Sequence, residues 1–182
     1  MGLDHKNIEE KVMNFYTSDQ HFYHKNIIRY CDRPFQGIKD MHETMVKSWN
    51  KVVTPEDTVY CLGDFAMVGT NGSGQVRKVL SKLNGAKVLI LGNHDEMKPF
   101  TYIDSGFLSV HTSLEMVDQG HEIVMHHDPC IKCGIPNNKV FLHGHIHNLY
   151  KSIPEKNAVC VSVENWDYAP ITMKQILKEL GK

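Results

Sequence analysis

Short apolar runs alternate with amphipathic segments along the first hundred residues of the chain. Three runs rich in β-branched, aromatic and aliphatic residues, at 12–17, 58–62 and 87–91, each end in polar residues or glycine and are predicted to be strands. The segments 38–53 and 76–83 repeat apolar residues at helical spacing, which predicts a helix in each. Strands that alternate with helices in this way indicate an α/β fold.

The second half of the chain has a different pattern, because its apolar runs are shorter and follow one another without long helices. It is predicted to be rich in strands and to close with an amphipathic helix at 171–180. The predicted strands are 107–110, 114–117, 122–125, 140–142 and 158–163. No internal repeat or linker divides the 182 residues, so we expect a single domain over 1–182.

Polar residues follow the predicted strands at the positions where α/β sheets usually bind ligands, beyond the carboxyl ends of the strands. They form five groups along the chain: Asp19 and His21; Asp64; Asn93, His94 and Asp95; His126 and His127; and His143, His145 and His147. We expect residues two apart on extended backbone to point to the same side. Imidazole, carboxylate and amide donors without thiolate suit manganese, iron or zinc in an open catalytic site. Gly63, Gly92 and Gly144 precede candidate ligands and are expected to permit tight turns.

Charge and cysteine content indicate which binding partners and which cellular compartment to expect. Twenty Lys and Arg residues nearly balance 21 Asp and Glu residues, so no overall basic field favours a nucleic-acid backbone or an anionic membrane. The odd number of cysteines, five, and a charged N-terminal segment predict a reducing, cytoplasmic location without a signal peptide. No apolar stretch approaches the roughly 18 residues of a membrane span.

The five polar groups resemble the sequence blocks of the calcineurin-like metallophosphoesterases, in particular the small single-domain proteins of bacteria and their phages. The blocks of that family are D-x-H, G-D, G-N-H-[DE], a single H after a strand, and G-H-x-H. The matching residues occur in the same order: Asp19-Gln20-His21, Gly63-Asp64, Gly92-Asn93-His94-Asp95, His127 and Gly144-His145-Ile146-His147. The resemblance implies an α/β fold, a four-layer α/β/β/α sandwich, with a site for two divalent metal ions.

The same resemblance implies which residues hold each metal. One ion would be bound by Asp19, His21, Asp64 and His147, and the other by Asp64, Asn93, His127 and His145. Asp64 would bridge the two ions. His126 stays an alternative to His127, because the two histidines are adjacent and the end of the strand is not fixed by the sequence. Manganese is the first expectation for the metal, with iron, zinc and nickel open.

The family chemistry is hydrolysis of phosphate esters, so the resemblance implies a hydrolase that acts on a phosphomonoester, as a phosphatase, or on a phosphodiester, as a phosphodiesterase. The two ions would activate a shared hydroxide for in-line attack on phosphorus. His94 would protonate the leaving group, and Asp95 would orient the imidazole of His94. His24 and Arg33 follow the first block and are candidates for binding the substrate phosphate.

Two alternatives accompany this prediction. A metal-dependent nuclease is less favoured, because the chain is nearly neutral and shows no basic arm. A non-catalytic scaffold with the same fold is also less favoured, because such a protein should lack ligands or the leaving-group histidine. No membrane partner is expected, and the oligomeric state is left open. Cys130 and Cys133 form a C-x-x-C pair in a segment interpreted as a loop, with a redox or zinc role left open.

Overall fold

A computed structural model describes residues 12–129 and 138–182, so the pair Cys130 and Cys133 lies outside the described residues. These described residues form two five-stranded sheets. In the first sheet the strand order is β10-β1-β2-β3-β4; strands β1 to β4 are parallel and β10 is antiparallel to β1. These strands are β1 (Asn14–Thr17), β2 (Thr58–Cys61), β3 (Ala86–Ile90), β4 (Ser109–His111) and β10 (Ile171–Thr172).

The second sheet has the order β5-β6-β7-β9-β8. Its three central strands, β6, β7 and β9, are parallel, and β5 and β8 are antiparallel to their neighbours. These strands are β5 (Ser113–Asp118), β6 (His121–His126), β7 (Val140–His143), β8 (Ser152–Ile153) and β9 (Ala158–Cys160). The parallel central strands bring the ends of β6 and β7, with their histidines, to one edge of the sheet.

The described part of the chain contains five α-helices beside the sheets: α1 (Ile27–Tyr30), α2 (Ile38–Val52), α3 (Ser73–Leu80), α4 (Pro99–Ser105) and α5 (Met173–Glu179). The apolar spacing predicted α2, α3 and α5, but not α1 or α4. The sequence features that mark helix α4 lie at its two ends. Pro99 occupies the first turn, and Gly106, with φ at 121°, follows the last residue. No helix within 12–129 and 138–182 is long and apolar enough to cross a membrane.

Two apolar cores hold these layers together. On the outer side of the first sheet, Met41, Met45 and Trp49 of α2 pack in one cluster with residues of β2 and β3. Between the sheets, alternate residues of the first sheet meet the inward face of the second. This inner cluster includes Tyr16, Leu62, Val88 and Ile90 from the first sheet and its loops, Ile123, Met125 and Leu142 from the second, and Met173 and Ile176 from α5. The predicted α/β sandwich is therefore confirmed.

The structure also corrects some boundaries. The strand predicted at 107–110 corresponds to β4. It pairs with β3 and therefore belongs to the first sheet, not to the second sheet that the other strands of the second half form. The helix predicted at 171–180 begins only at Met173, because Ile171 and Thr172 pair with β1. Thr172 then caps α5 in a reciprocal arrangement with Gln175.

Candidate metal centre

The loops after β1, β2, β3, β6 and β7 converge at one end of the sandwich. Backbone hydrogen bonds join them: the Asp19 N–H donates to the Gly63 carbonyl at 3.0 Å, and the His21 N–H donates to the Asp64 carbonyl at 2.9 Å. Across the second sheet, the Gly144 N–H donates to the His127 carbonyl at 2.9 Å. The polar groups from distant parts of the chain therefore occupy one small region.

The backbone at the candidate ligands is not extended, so the expectation that residues two apart share a face of extended backbone is wrong here. Five of these residues have left-handed φ angles, which are uncommon outside glycine. They are Asp19 at 58°, His21 at 50°, Asp64 at 52°, His145 at 72° and His147 at 51°. The residues face the same region because each lies in a tight turn.

Glycines permit these turns to approach one another. A Cβ atom on Gly144 would lie 2.5 Å from Asp19 Oδ2, and one on Gly63, where φ is 88°, would lie 2.5 Å from His127 Nδ1. Real Cβ atoms do not approach other atoms this closely, so a larger residue would push the loops apart. The predicted tight turns are present. Each one leaves space for a neighbouring loop that carries a candidate ligand.

Asp64 lies between two imidazoles. Its Oδ2 atom is 3.5 Å from His21 Nε2 and 3.4 Å from His127 Nε2, while Oδ1 accepts a hydrogen bond from the His94 backbone N–H at 2.9 Å. Burial works to raise the pKa of Asp64, but its hydrogen bond and charge interaction with His127 outweigh this effect and lower the pKa to about 2. Asp64 is thus an anion at neutral pH with imidazoles on two sides.

The structure brings His127, rather than His126, to this group. His127 Nδ1 lies 2.7 Å from the Leu62 carbonyl, so Nδ1 carries the proton and Nε2 faces Asp64 and Asn93. Asn93 Oδ1 lies 3.1 Å from His127 Nε2 and 2.9 Å from His145 Nδ1. His126 instead contacts the Asp128 carbonyl through Nδ1. Asn93, His127 and His145 therefore form a second group beside Asp64.

Asp19 is held by partners that sequence reasoning missed. Its Oδ2 atom accepts hydrogen bonds from the hydroxyls of Ser18 and Ser162, each at 2.6 Å, and the His145 N–H approaches both carboxylate oxygens at 3.1 Å. The side chain is completely buried, and burial raises the pKa of its carboxyl group. Ser18 adjoins Asp19 in sequence, but no local pattern signals a partner 143 residues away.

His21 is the residue whose surroundings most clearly fit a metal. It is 2% exposed, and neither of its ring nitrogens has a hydrogen-bond partner within the described parts of the chain. Burial lowers the pKa of His21 to about 3, so the ring is neutral and can offer a lone pair. Its ring centroid lies 5.2 Å from that of His147 and 5.6 Å from that of His94. Ligand atoms of Asp19, His21 and His147 lie within 4.8 Å of one another, as do those of Asp19, Asp64 and His127.

Arg33 does not have the position expected of a substrate-binding residue, and that prediction is corrected. It is 4% exposed, and its guanidinium donates to the Asp19 carbonyl at 2.7 Å, the Gln20 carbonyl at 2.9 Å and Glu164 Oε1 at 2.6 Å. These contacts occupy the guanidinium on the protein side. Arg33 therefore supports the loop that carries Asp19 and is not free to bind a phosphate.

Glu164 is a further residue that sequence reasoning missed. It lies in a 3₁₀ turn, Val163–Trp166, and its Oε1 atom is 2.9 Å from His147 Nδ1. Burial opposes both charges, but hydrogen bonding to Cys31 and Glu164 raises the pKa of His147 to about 10, and contacts with His147 and Arg33 lower that of Glu164 to about 2. A carboxylate on the outer nitrogen of a ligating histidine orients the ring and raises its basicity.

Asp95 also differs from its expected role. Its carboxylate accepts backbone hydrogen bonds from Asp64 and Gly92 at 2.8 Å and from Phe65 at 3.2 Å. No contact with the His94 imidazole accompanies them within the described residues. Burial raises the pKa of Asp95 to about 7. Asp95 therefore joins the loops after β2 and β3 and fixes Asp64 through its backbone, which corrects the predicted pairing with His94.

A cleft of about 510 Å³ opens above these residues. His24 and His94 both line it, and His94 is half-buried. The cleft is lined by the polar residues His21, His24, Asp64, Asn93, His94, His145 and His147 and by Ile27, Tyr30, Cys31 and Met67. The lining of this cleft therefore combines polar candidate ligands with apolar side chains.

Two similar proteins align with nearly the whole of this chain. No family model matches it. An uncharacterized protein of Methanocaldococcus jannaschii, MJ1445, is 34% identical over 174 residues, which cover 92% of this chain and 91% of that protein. A crystal structure of a protein of unknown function from Aquifex aeolicus, AQ665, superposes with a TM-score of 0.73 at 28% identity, over 93% of this chain and 100% of the other.

A third similarity is more distant. A conserved uncharacterized protein of Streptococcus pneumoniae, described as a predicted phosphoesterase, aligns at 12% identity and a TM-score of 0.40 over 83% of this chain and 71% of the other, too distant a match to indicate a function. The similarity to MJ1445, by contrast, extends over nearly the whole of both chains. The chain therefore belongs to the same protein family as MJ1445 of Methanocaldococcus jannaschii.

Proposed function

We propose that the protein is a metal-dependent phosphoesterase of the calcineurin-like type, a hydrolase whose substrate is a phosphomonoester or phosphodiester. The observation that supports this proposal most directly is the His21 imidazole, which is buried with both nitrogens unpartnered and with Nε2 3.5 Å from the Asp64 carboxylate. A buried polar group without a partner is unfavourable unless a ligand satisfies it. A divalent cation between these side chains would do so.

The donor set fits two cations on either side of Asp64. Asp19, His21, Asp64 and His147 would hold one ion, and Asp64, Asn93, His127 and His145 would hold the other. Oxygen and imidazole donors of this kind suit manganese, which is the metal we propose to test first. Two such ions, when bound, supply Lewis acidity toward phosphoryl oxygens and lower the pKa of bound water.

The other residues of the cleft have separate tasks in this proposal. His94 lines the cleft, and its backbone N–H donates to Asp64 Oδ1, which holds the residue next to a proposed metal ligand. From there it would donate a proton to the departing alkoxide. His24 lines the same cleft and would contact the substrate phosphate. Asp95 would keep the Asp64 loop in place through three backbone hydrogen bonds.

An assay with reconstituted metal tests the proposal. Purified protein is freed of metal, loaded with Mn²⁺, and supplied with bis(4-nitrophenyl) phosphate or 4-nitrophenyl phosphate, with EDTA added in a parallel sample. We expect EDTA-sensitive hydrolysis, and the preferred ester distinguishes a diesterase from a phosphatase. Metal bound without hydrolysis of either ester would contradict the proposal and favour a non-catalytic scaffold.

Adjacent histidines provide a matched control for this assay. His127 lies against Asp64 and Asn93, whereas His126 contacts the Asp128 carbonyl outside the group. We therefore expect His127→Ala to lose activity and one equivalent of bound Mn²⁺, while His126→Ala keeps both. The reverse result would assign the fourth ligand block to His126.

A further inference from the structure

His147 belongs to two clusters of ligand atoms, of which only one is used by the proposed phosphoesterase. Beside the cluster with Asp19 and His21, the structure contains a cluster of Cys31, His147 and Glu164 whose ligand atoms also lie within 4.8 Å of one another. Thiolate, imidazole and carboxylate are the three protein ligands of zinc. The second cluster thus has a softer donor set than the oxygen and imidazole donors around Asp64.

Glu164 has an oxygen available for a cation at this position. Its side chain is 4% exposed, and Oε1 is occupied by Arg33 and His147. Its other oxygen, Oε2, is buried and has no hydrogen-bond partner within residues 12–129 and 138–182. An unpaired buried carboxylate oxygen is unfavourable, and a cation bound there would satisfy it while Arg33 remains on Oε1.

Cys31 is a buried residue at the border of the cleft. Its thiol is not in a disulfide, hydrogen bonds to His147, and lines the same cleft as the candidate metal ligands. An ion that enters the cleft can therefore reach both clusters. Cys160 is also close to His147, but its sulfur is directed to the His147 carbonyl at 3.4 Å and to the Ser162 hydroxyl at 3.1 Å.

The two clusters use different nitrogens of one ring. His147 Nδ1 is 2.9 Å from Glu164 Oε1, and Nε2 is 3.9 Å from Asp19 Oδ1. A neutral imidazole has one lone pair, so it can bind a metal through Nε2 or through Nδ1 but not through both. We propose that Cys31, His147 and Glu164 form a site for a thiophilic divalent cation such as Zn²⁺, which is filled at the expense of the Asp19 and His21 cluster.

Binding at this site has a defined proton balance. The Cys31 thiol loses its proton to solvent and binds as a thiolate, and Nδ1 of His147 releases its proton to solvent and binds the metal, while the remaining ring proton stays on Nε2. Glu164 Oε2 is already ionised. The ligand His147 is then withdrawn from the other cluster, so zinc in excess inhibits the enzyme. The inhibition rests on the proposed function, but the binding site does not.

Cobalt binding tests the site without any assay of activity, because thiolate coordination to Co²⁺ gives a charge-transfer absorption in the near ultraviolet. Every sample carries Cys130→Ser and Cys133→Ser, which removes the other pair of thiols. We expect metal-free protein to show the absorption on titration with Co²⁺, Cys31→Ser to lose it, and the matched control Cys160→Ser to keep it. Cys31→Ala repeats the test if the serine variant does not fold, as judged by circular dichroism.

Competition by zinc is the second measurement. We expect the half-inhibitory Zn²⁺ concentration of the Mn²⁺-loaded protein, relative to each variant's own activity, to rise at least about tenfold in Cys31→Ser. Absorption that never appears, or that persists in Cys31→Ser, overturns the site. If the absorption follows Cys31 but no ester is hydrolysed, the site stands and the proposed function fails.

Discussion

The two sides of Asp64 are built in different ways. On the Asp19 side, buried side chains behind two of the candidate ligands hold them: the hydroxyls of Ser18 and Ser162 hold Asp19, and Glu164 holds His147. On the Asn93 side, the Leu62 carbonyl holds the buried His127, but Asn93 and His145 are exposed and contact each other at 2.9 Å. Buried outer partners preorganise the first side. We therefore expect it to bind its cation more tightly, and the Asn93 side to exchange its cation more readily.

The largest effect is expected where the two sides meet. Asp64→Asn removes the anionic charge shared by both groups, so we expect activity to fall by about 10³-fold or more and both equivalents of Mn²⁺ to weaken. Activity assays and metal analysis after gel filtration measure the two losses. Asp118→Asn, a change of the same type at the end of β5, is the control. Retention of both ions in Asp64→Asn would show that the two sides are independent.

His94 offers a change that should leave both sides intact. Its ring lines the cleft, and only its backbone contacts Asp64, so His94→Ala is expected to keep both equivalents of Mn²⁺. We expect turnover of an alkyl ester with a poor leaving group to fall by about 10²-fold or more, with a smaller loss for a nitrophenyl ester. Equal losses for the two esters would contradict the role of His94 as the proton donor.

A substitution at Glu164, which contacts a proposed ligand, should affect the Mn²⁺ affinity of only one side. Glu164→Gln removes the carboxylate from His147 Nδ1, so the Asp19 side should lose about 10- to 100-fold in Mn²⁺ affinity while the Asn93 side is unchanged. Isothermal titration calorimetry resolves the two steps. Glu115→Gln, at an exposed position of β5, serves as the control. A uniform weakening of both steps would indicate general destabilisation instead.

The smallest predicted effect is on the free energy of unfolding at low pH. Contacts with His147 and Arg33 outweigh burial and lower the pKa of Glu164 from 4.5 to about 2. A carboxyl group whose pKa is lower in the folded state stabilises the protein above its unfolded pKa, and this contribution is lost as the pH falls toward the folded pKa. The free energy of unfolding of metal-free protein, measured in urea, should therefore drop between pH 4.5 and 2 more steeply in the wild type than in Glu164→Gln. Parallel curves would contradict this assignment.

The convergence of the candidate ligand groups was predictable because it depends on local features. A strand followed by polar residues places those residues at the carboxyl end of the strand, and parallel pairing then brings such ends together. His127 illustrates the limit, since only the observed end of β6 distinguishes it from His126. The α/β class followed from the same alternation of strands and helices.

The supporting residues could not be predicted, because their partners are distant in sequence. Arg33 and Glu164 are 131 residues apart, and neither is flanked by a motif. Arg33 was expected at the substrate because an arginine near a phosphate site is usually a ligand, but its burial beneath Asp19 reverses that interpretation. His42 likewise belongs to none of the five polar groups, yet its Nε2 accepts the Tyr23 N–H at 2.8 Å and its ring packs on Phe22.

The left-handed backbone at the candidate ligands affects which substitutions at these positions would stabilise the protein. A left-handed residue other than glycine is unfavourable by roughly 1–2 kcal/mol, so the side chains that would bind metal are not the ones that best suit this backbone. Glycine at His145, where φ is 72°, would relieve that strain in the metal-free protein and remove a ligand at the same time. Selection for stability alone would therefore erode the site, and a relative that keeps these residues is under selection for what they bind.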